Sequence, residues 1–203
     1  MRYSDGKLAG ALIFVASAQF IIALIVAEAF YPGYSVAQNY ISDLGATCRA
    51  TCQIVQPTST IFNSSVTLLG LLAIVASYFV QRGFRSRVFT FLVVMTGLGA
   101  TGVGVFPETA GVIHQRVSLI TFVFAGLSAI ASYRLQKAPS SYFSILLGVM
   151  TLAALALYVS NLFLGLGPGG MERMIVYPAL IWAIGLGASL MASSTNTRMT
   201  ANQ

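Results

Sequence analysis

The sequence predicts an all-α, polytopic membrane helix bundle with six transmembrane helices, both termini cytoplasmic and a long first outer loop. Three observations carry this reading. Of 203 residues, 57% are hydrophobic and only 8% charged, and the mean hydropathy is +0.82; a soluble domain, a disordered chain and a secreted disulfide scaffold lie outside that range. The charges leave six uncharged runs, 8–27, 50–81, 88–107, 117–133, 138–171 and 174–197, each near or above the roughly 20 apolar residues that a bilayer core requires. The basic residues, finally, are sorted by side. Arg2, Lys7, Arg82, Arg85, Arg87, Arg134, Lys137 and Arg198 fall with the termini, whereas Arg49, Arg116 and Arg173 fall opposite, which places both termini in the cytoplasm by the positive-inside rule. The net charge of +6 is then a topology signal of a cell-membrane protein, and a nucleic-acid partner is unnecessary to explain it.

One domain over residues 1–203 is expected, with spans near 8–29, 58–80, 88–106, 113–133, 142–164 and 172–192. Before the first, Arg2 and Lys7 imitate a signal-peptide start and Ala27-Glu28-Ala29 a cleavage site, but the apolar stretch exceeds the roughly 7 to 15 residues of a signal h-region, so it reads as a retained helix. The connection that follows, Tyr31 to about Pro57, is too long for a tight turn, and loops of such length are commonly lids or binding elements. Its centre is Asn39-Tyr40-Ile41-Ser42-Asp43-Leu44-Gly45. Asn39 and Ser42 suit the capping of a short interfacial helix with a left-handed stop at Gly45, or they face a ligand; Asp43, a carboxylate close to the membrane, is less well explained by capping. Cys48 and Cys52 follow. A pair with no further cysteine and one distant histidine falls short of the four ligands of structural zinc, and a loop-closing disulfide on the oxidising side is expected.

The second span opens with a run of Ser, Thr and Asn, and Asn63, Thr67 and Gly70 share one helical face that should look into the bundle and hydrogen-bond there. The third contains Gly97-Leu98-Gly99-Ala100-Thr101-Gly102, a literal match to the dinucleotide fingerprint. It lies inside an uncharged span without a preceding strand, so close helix packing through small residues, aided by Gly104, explains it instead. Phe106-Pro107-Glu108 closes this span. In the fourth, His114, Ser118, Thr121, Ala125, Ser128 and Ser132 form one continuous small or polar face, which should point inward and bring His114 to the same mouth as Glu108. The fifth carries Tyr158 and Asn161 near its outer end, followed by a glycine-rich turn over 165–170. The sixth starts with Glu172-Arg173, and Tyr177 lies one turn further on. Neighbouring residues project about 100° apart on a helix, so these opposite charges seek separate partners; Asp43 is the expected one for Arg173, and Glu172 gains from the helix N-terminus.

The acids follow no topology rule, yet Glu28, Asp43, Glu108 and Glu172 gather with His114 at the outer side and only Asp5 is cytoplasmic. This concentration marks the candidate site. His114, Asp43 and Glu172 are the candidates for acid–base chemistry, and Arg173, Asn39, Ser42, Asn63, Glu108, Asn161 and Tyr177 for ligand binding.

Three patterns taken in order, Asn39-Tyr40-Ile41-Ser42-Asp43-Leu44-Gly45, then Gly104-Val105-Phe106-Pro107 with His114, then Gly170-Met171-Glu172-Arg173, resemble the prokaryotic six-helix integral membrane proteins grouped as domain of unknown function 998. The resemblance spans nearly the whole chain. It implies fold and topology, and it implies that Asp43, His114, Glu172 and Arg173 belong to the family pattern; it brings no activity and no cofactor. Cys48 and Cys52 stand outside that pattern.

Two classes of function fit. In the first, the polar cluster binds a membrane lipid or small amphiphile, or the protein is an accessory subunit held to partner subunits in a membrane assembly; paired Asp43–Arg173 and Glu108–His114 would then tie the loop to the bundle, since polar groups near the membrane must find partners. In the second, the protein is a hydrolase or transferase acting on a lipid headgroup. His114 would be its general base, oriented by Asp43, and Arg173 its anion holder, or Asp43, Glu108, Glu172 and His114 would hold a metal that activates water. Ser42 as a nucleophile is weaker, because any outer loop can hold a Ser-Asp pair. An ion-coupled transporter fits least, because the middle of every span is uncharged.

Overall fold

The computed structural model describes residues 2–48 and 51–193. Two of the basic residues used above for orientation, Arg49 and Arg198, lie outside the described residues. Among the described residues six helices are long and apolar enough to cross a membrane: α1 (Arg2–Phe30), α2 (Thr58–Phe84), α3 (Arg87–Val105), α4 (Val112–Ala131), α5 (Ser140–Val159) and α6 (Gly167–Ser193). A two-residue antiparallel ladder, β1 (Thr47–Cys48) with β2 (Cys52–Gln53), and 3-10 turns at Ser42–Leu44, Glu108–Ala110 and Ser132–Leu135 lie in the connections. Each helix packs on its neighbours in the chain and α6 returns to α1, so the bundle closes as a ring.

Lipid tails are as apolar as leucine, so such a ring is held by close packing rather than by hydrophobic exclusion. Glycines supply the closeness. A Cβ on Gly70 would lie 2.4 Å from the Thr101 backbone nitrogen, and one on Gly97 2.7 Å from the Gly70 carbonyl, which seats α3 against α2. On the other flank of α3, a Cβ on Gly99 would come within 2.5 Å of Thr121 Oγ1 and one on Gly102 within 2.7 Å of Val117. The G-x-G-x-x-G run is therefore a two-sided packing surface that joins α3 to both neighbours.

Near the end that carries the termini, Ile13, Val80, Phe89, Trp182 and Leu186 form one apolar cluster. At the opposite end Phe20, Leu24, Phe62, Val103 and Leu180 form another, completed from the first loop by Ile41 and Leu44. The loop over 31–57 is therefore a lid whose apolar centre plugs the ring. The fifth acid is accounted for at the other end, where Asp5 pairs with Arg82 at 3.2 Å.

Three local expectations change. Helix α5 ends at Val159, short of 164, because Asn161 and Leu164 take positive φ of 56° and 50°. Helix α6 begins at Gly167, ahead of 172; Pro168 suits a first helical turn, where its missing N–H costs nothing, and Gly169 lets the lid approach so closely that a Cβ there would lie 2.0 Å from the Asn39 carbonyl. Gly45 is right-handed, with φ −81°. Its lack of a side chain serves proximity instead, since a Cβ would lie 2.4 Å from Asn63 Oδ1.

Two glycine variants test this account. Gly70→Ala should lower stability by about 1–3 kcal/mol, the usual cost of overpacking. Gly185→Ala, in α6 with nothing within 4 Å of the added methyl, should leave it unchanged or raise it by up to about 1 kcal/mol through helix propensity. Thermal unfolding in detergent measures both, and equal effects would contradict the packing argument.

Candidate functional site

The lid is fastened by one cation. Arg173, in the first turns of α6, is only 4% exposed, and its guanidinium donates to the backbone carbonyls of Val36, Asn39 and Gly169 at 3.0, 3.2 and 2.9 Å. Its other terminal nitrogen meets Glu28 Oε1 at 2.6 Å and the Tyr34 hydroxyl at 2.7 Å. The partner of Arg173 is thus Glu28 at the end of α1, and the expected pairing with Asp43 is corrected: α1 ends beside the start of α6, while Asp43 is committed within the lid. Burial raises the Tyr34 phenol above its ordinary value against the opposing pull of Arg173, so it stays protonated and donates to the Tyr40 carbonyl at 2.9 Å.

Three carboxylates receive the lid's own donors. Asp43 Oδ2 accepts from Asn39 Nδ2 at 3.0 Å and from the Tyr40 N–H at 2.9 Å, which folds the lid centre on itself. Glu172 accepts from the Ile41 N–H. Glu108 accepts from the Ser42 hydroxyl at 2.7 Å through one oxygen and from the Cys48 N–H at 3.0 Å through the other. Cys48 is bonded to Cys52, so the strand that Glu108 grips is itself closed by a disulfide. Burial raises the Glu108 carboxyl above its ordinary value, and its two hydrogen bonds pull it part of the way back.

His114 occupies a different setting from the one expected. Its Nδ1 lies 2.7 Å from the Phe106 carbonyl, at the end of α3, where a helix leaves carbonyls unsatisfied, and its Nε2 lies 3.4 Å from Ser118 Oγ. Orientation by Asp43 and the Glu108–His114 hydrogen bond are both replaced by this backbone contact, because the short α3–α4 turn brings the ring back to α3. His114, Glu108, Glu172 and Ser42 nevertheless line one pocket of about 520 Å³, together with Tyr40, Gln115, Ser118 and Tyr158. Below it, along the ring axis, runs a narrower apolar cavity of about 130 Å³, walled by Phe20, Phe62, Val93, Ala125, Ile175 and Trp182 among others. Ser42, Ser118, Phe122 and Glu172 line both. The polar pocket and the apolar cavity therefore share one wall.

The remaining sequence candidates separate from this pocket. Asn39 and Asp43 stand behind it in the lid, and Arg173 is spent on the lid backbone. Asn63 donates to the Gly45 carbonyl at 3.3 Å and to Ser59 at 3.1 Å, supporting the lid from α2. Asn161 is exposed at a positive-φ position after α5, and Tyr177 is 38% exposed on the bundle surface. Among the described residues no three His, Cys, Asp or Glu side chains group as metal ligands; Asp43, Glu108 and Glu172 spend oxygens on separate lid donors, which keeps them from converging with His114. Tyr34, Tyr40 and Gln115 were not anticipated. The tyrosine spacing of the lid, Tyr31, Tyr34 and Tyr40, was the available signal, and it carries no direction until the lid is folded.

Residues 14–189 match the family described as "Protein of unknown function (DUF998)". No curated protein and no solved structure matches the chain.

Removing the clamp should be costly. Arg173→Ala strands Glu28, two lid carbonyls and that of Gly169 and should cost about 3–5 kcal/mol, as for a broken buried pair, whereas unchanged thermal stability in detergent would rule the clamp out. Glu108 sets a pH dependence. With its folded value raised above that of the unfolded chain, the native state holds the extra proton, so its contribution is present below the unfolded value of about 4.3 and is lost as pH rises through the folded value. Glu108→Gln, which mimics the protonated form, should flatten the fall in melting temperature across that window; an identical slope in both proteins would contradict it.

Proposed function

The chain belongs to the DUF998 family, and from the chemistry of its pockets we propose that it binds a membrane amphiphile, headgroup in the polar pocket and chain in the apolar cavity. The observation that carries this reading is the shared wall of Ser42, Ser118, Phe122 and Glu172. A chamber that holds hydroxyls and carboxylates and shares a wall with an apolar one matches a molecule that is polar at one end only. From Glu172 to Trp182 the cavity follows ten residues of α6, about 15 Å at the helical rise, a depth suited to an alkyl chain. The carboxylates of Glu108 and Glu172 and the phenols of Tyr40 and Tyr158 favour a headgroup that donates hydrogen bonds and carries positive charge, an amine. Arg173 has no part in holding an anion, since its terminal nitrogens are already engaged.

The site faces the extracytoplasmic side in this reading, with both termini in the cytoplasm. The Lys and Arg distribution supports that orientation, and so does the Cys48–Cys52 disulfide in the lid, a bond that persists in oxidising compartments.

A second reading rests on His114. With Nδ1 held by a backbone carbonyl, its Nε2 is the nitrogen turned toward Ser118 and the pocket, the arrangement of a positioned base. Catalysis on the bound headgroup would then follow binding.

In nanodiscs, dodecylamine should raise the melting temperature and dodecanoate should not. Glu172→Gln, which keeps an acceptor for Ile41, should weaken the amine about tenfold, or about 1.4 kcal/mol. Equal responses to the two amphiphiles would sink the headgroup assignment. Mass spectrometry of the extracted lipid separates the readings: a product that forms with the native protein and vanishes in His114→Gln indicates catalysis, and lipid recovered unchanged from both indicates binding alone.

A further inference from the structure

Helices α4 and α5 are joined unevenly along their length. Toward the end carrying the termini they touch backbone to backbone: a Cβ on Gly148 would lie 2.6 Å from the Gly126 carbonyl, and one on Gly126 would lie 2.7 Å from Leu152. Toward the lid the polar pocket comes between them, lined by Gln115, Leu119 and Phe122 from α4 and by Leu155, Tyr158 and Val159 from α5. Leu119 stands seven residues from Gly126, about 10 Å along the helix. The pair is thus pinned at one end and parted at the other.

The residues on this parting are graded. Leu119 and Val159 are 48% and 66% exposed, Phe122 and Leu155 are more buried, and Glu108, His114 and Glu172 line the same pocket. The top is covered by the lid, whose Ile41 and Leu44 are buried in the cluster beneath it. An opening rimmed by exposed Leu and Val in a membrane-spanning ring meets hydrocarbon, and what hydrocarbon delivers to it is a lipid.

We propose that the parted outer halves of α4 and α5 form a lateral portal through which a bilayer lipid with an amine headgroup enters the polar pocket. This rests on the binding reading above and adds its route. One chain passes Phe122 into the apolar cavity while the rest of the lipid remains between Leu119 and Val159, in contact with the bilayer. The alternative route is from water, past Gly111 and Gln115 at the end of α4.

The protein contains one tryptophan, Trp182, which lines the apolar cavity and is 7% exposed, so a quencher reaches it from inside the ring. The full chain is reconstituted in phosphatidylcholine vesicles, and its tryptophan fluorescence is followed after fusion with vesicles of chain-brominated phosphatidylethanolamine. In parallel, a chain-brominated alkylamine is added from water. Both should quench the native protein. The double variant Leu119→Phe, Val159→Phe should slow quenching by the bilayer lipid at least tenfold more than it slows quenching by the alkylamine, and Leu119→Ala, Val159→Ala should speed the former. Unchanged bilayer-lipid rates in both variants, with quenching intact, would overturn the portal while leaving the binding site in place. Absence of quenching by either probe in the native protein would overturn the binding reading and the portal with it. Since all four substitutions are at exposed positions, a matching melting temperature confirms that the variants fold.

Discussion

A buried guanidinium organises the lid end of this protein. At membrane depth an unpaired cation is expensive and an unpaired backbone carbonyl nearly as unwelcome, and Arg173 resolves both at once. It gives its donors to Val36, Asn39 and Gly169, and it takes the charge of Glu28 and the hydroxyl of Tyr34. Through these contacts α1, α6 and the lid become one unit.

The ring supplies the complementary constraint. Its helices approach through glycine, so their backbones are close where glycines face each other and separate where larger side chains intervene. Gly70 with Gly97 and Gly126 with Gly148 set close approaches, and the space left on the axis becomes the apolar cavity. The cavity is thereby a by-product of packing a six-membered ring, given chemical character by what opens onto it. Glu172 and Ser42 line both this cavity and the polar pocket beside it.

Much of the polar cluster was legible in the sequence as a location and little of it as a set of partners. The grouping of Asp43, Glu108, His114, Glu172 and Arg173 at one end follows from their places at span ends, and the small or polar face from His114 to Ser128 does border the cavities. Pairing by charge alone misled. It joined Arg173 to Asp43, yet Arg173 pairs with the acid at the end of α1, and it overlooked the backbone N–H groups that donate to Asp43, Glu108 and Glu172. Backbone donors are invisible to a reading of residue types, because every non-proline residue has one.

The sequence by itself determined the class, the number of spans, the end at which ionisable side chains collect and the small-residue nature of the helix contacts. These depend on bilayer thickness and helical periodicity, which act over one turn or one span and are written in local composition. Only the tertiary structure decided that Glu28 neutralises Arg173, that His114 bonds to Phe106 and that the polar pocket and the apolar cavity share a wall. Those outcomes depend on distances of a few ångströms between segments far apart in the chain, and closing the ring is what sets such distances.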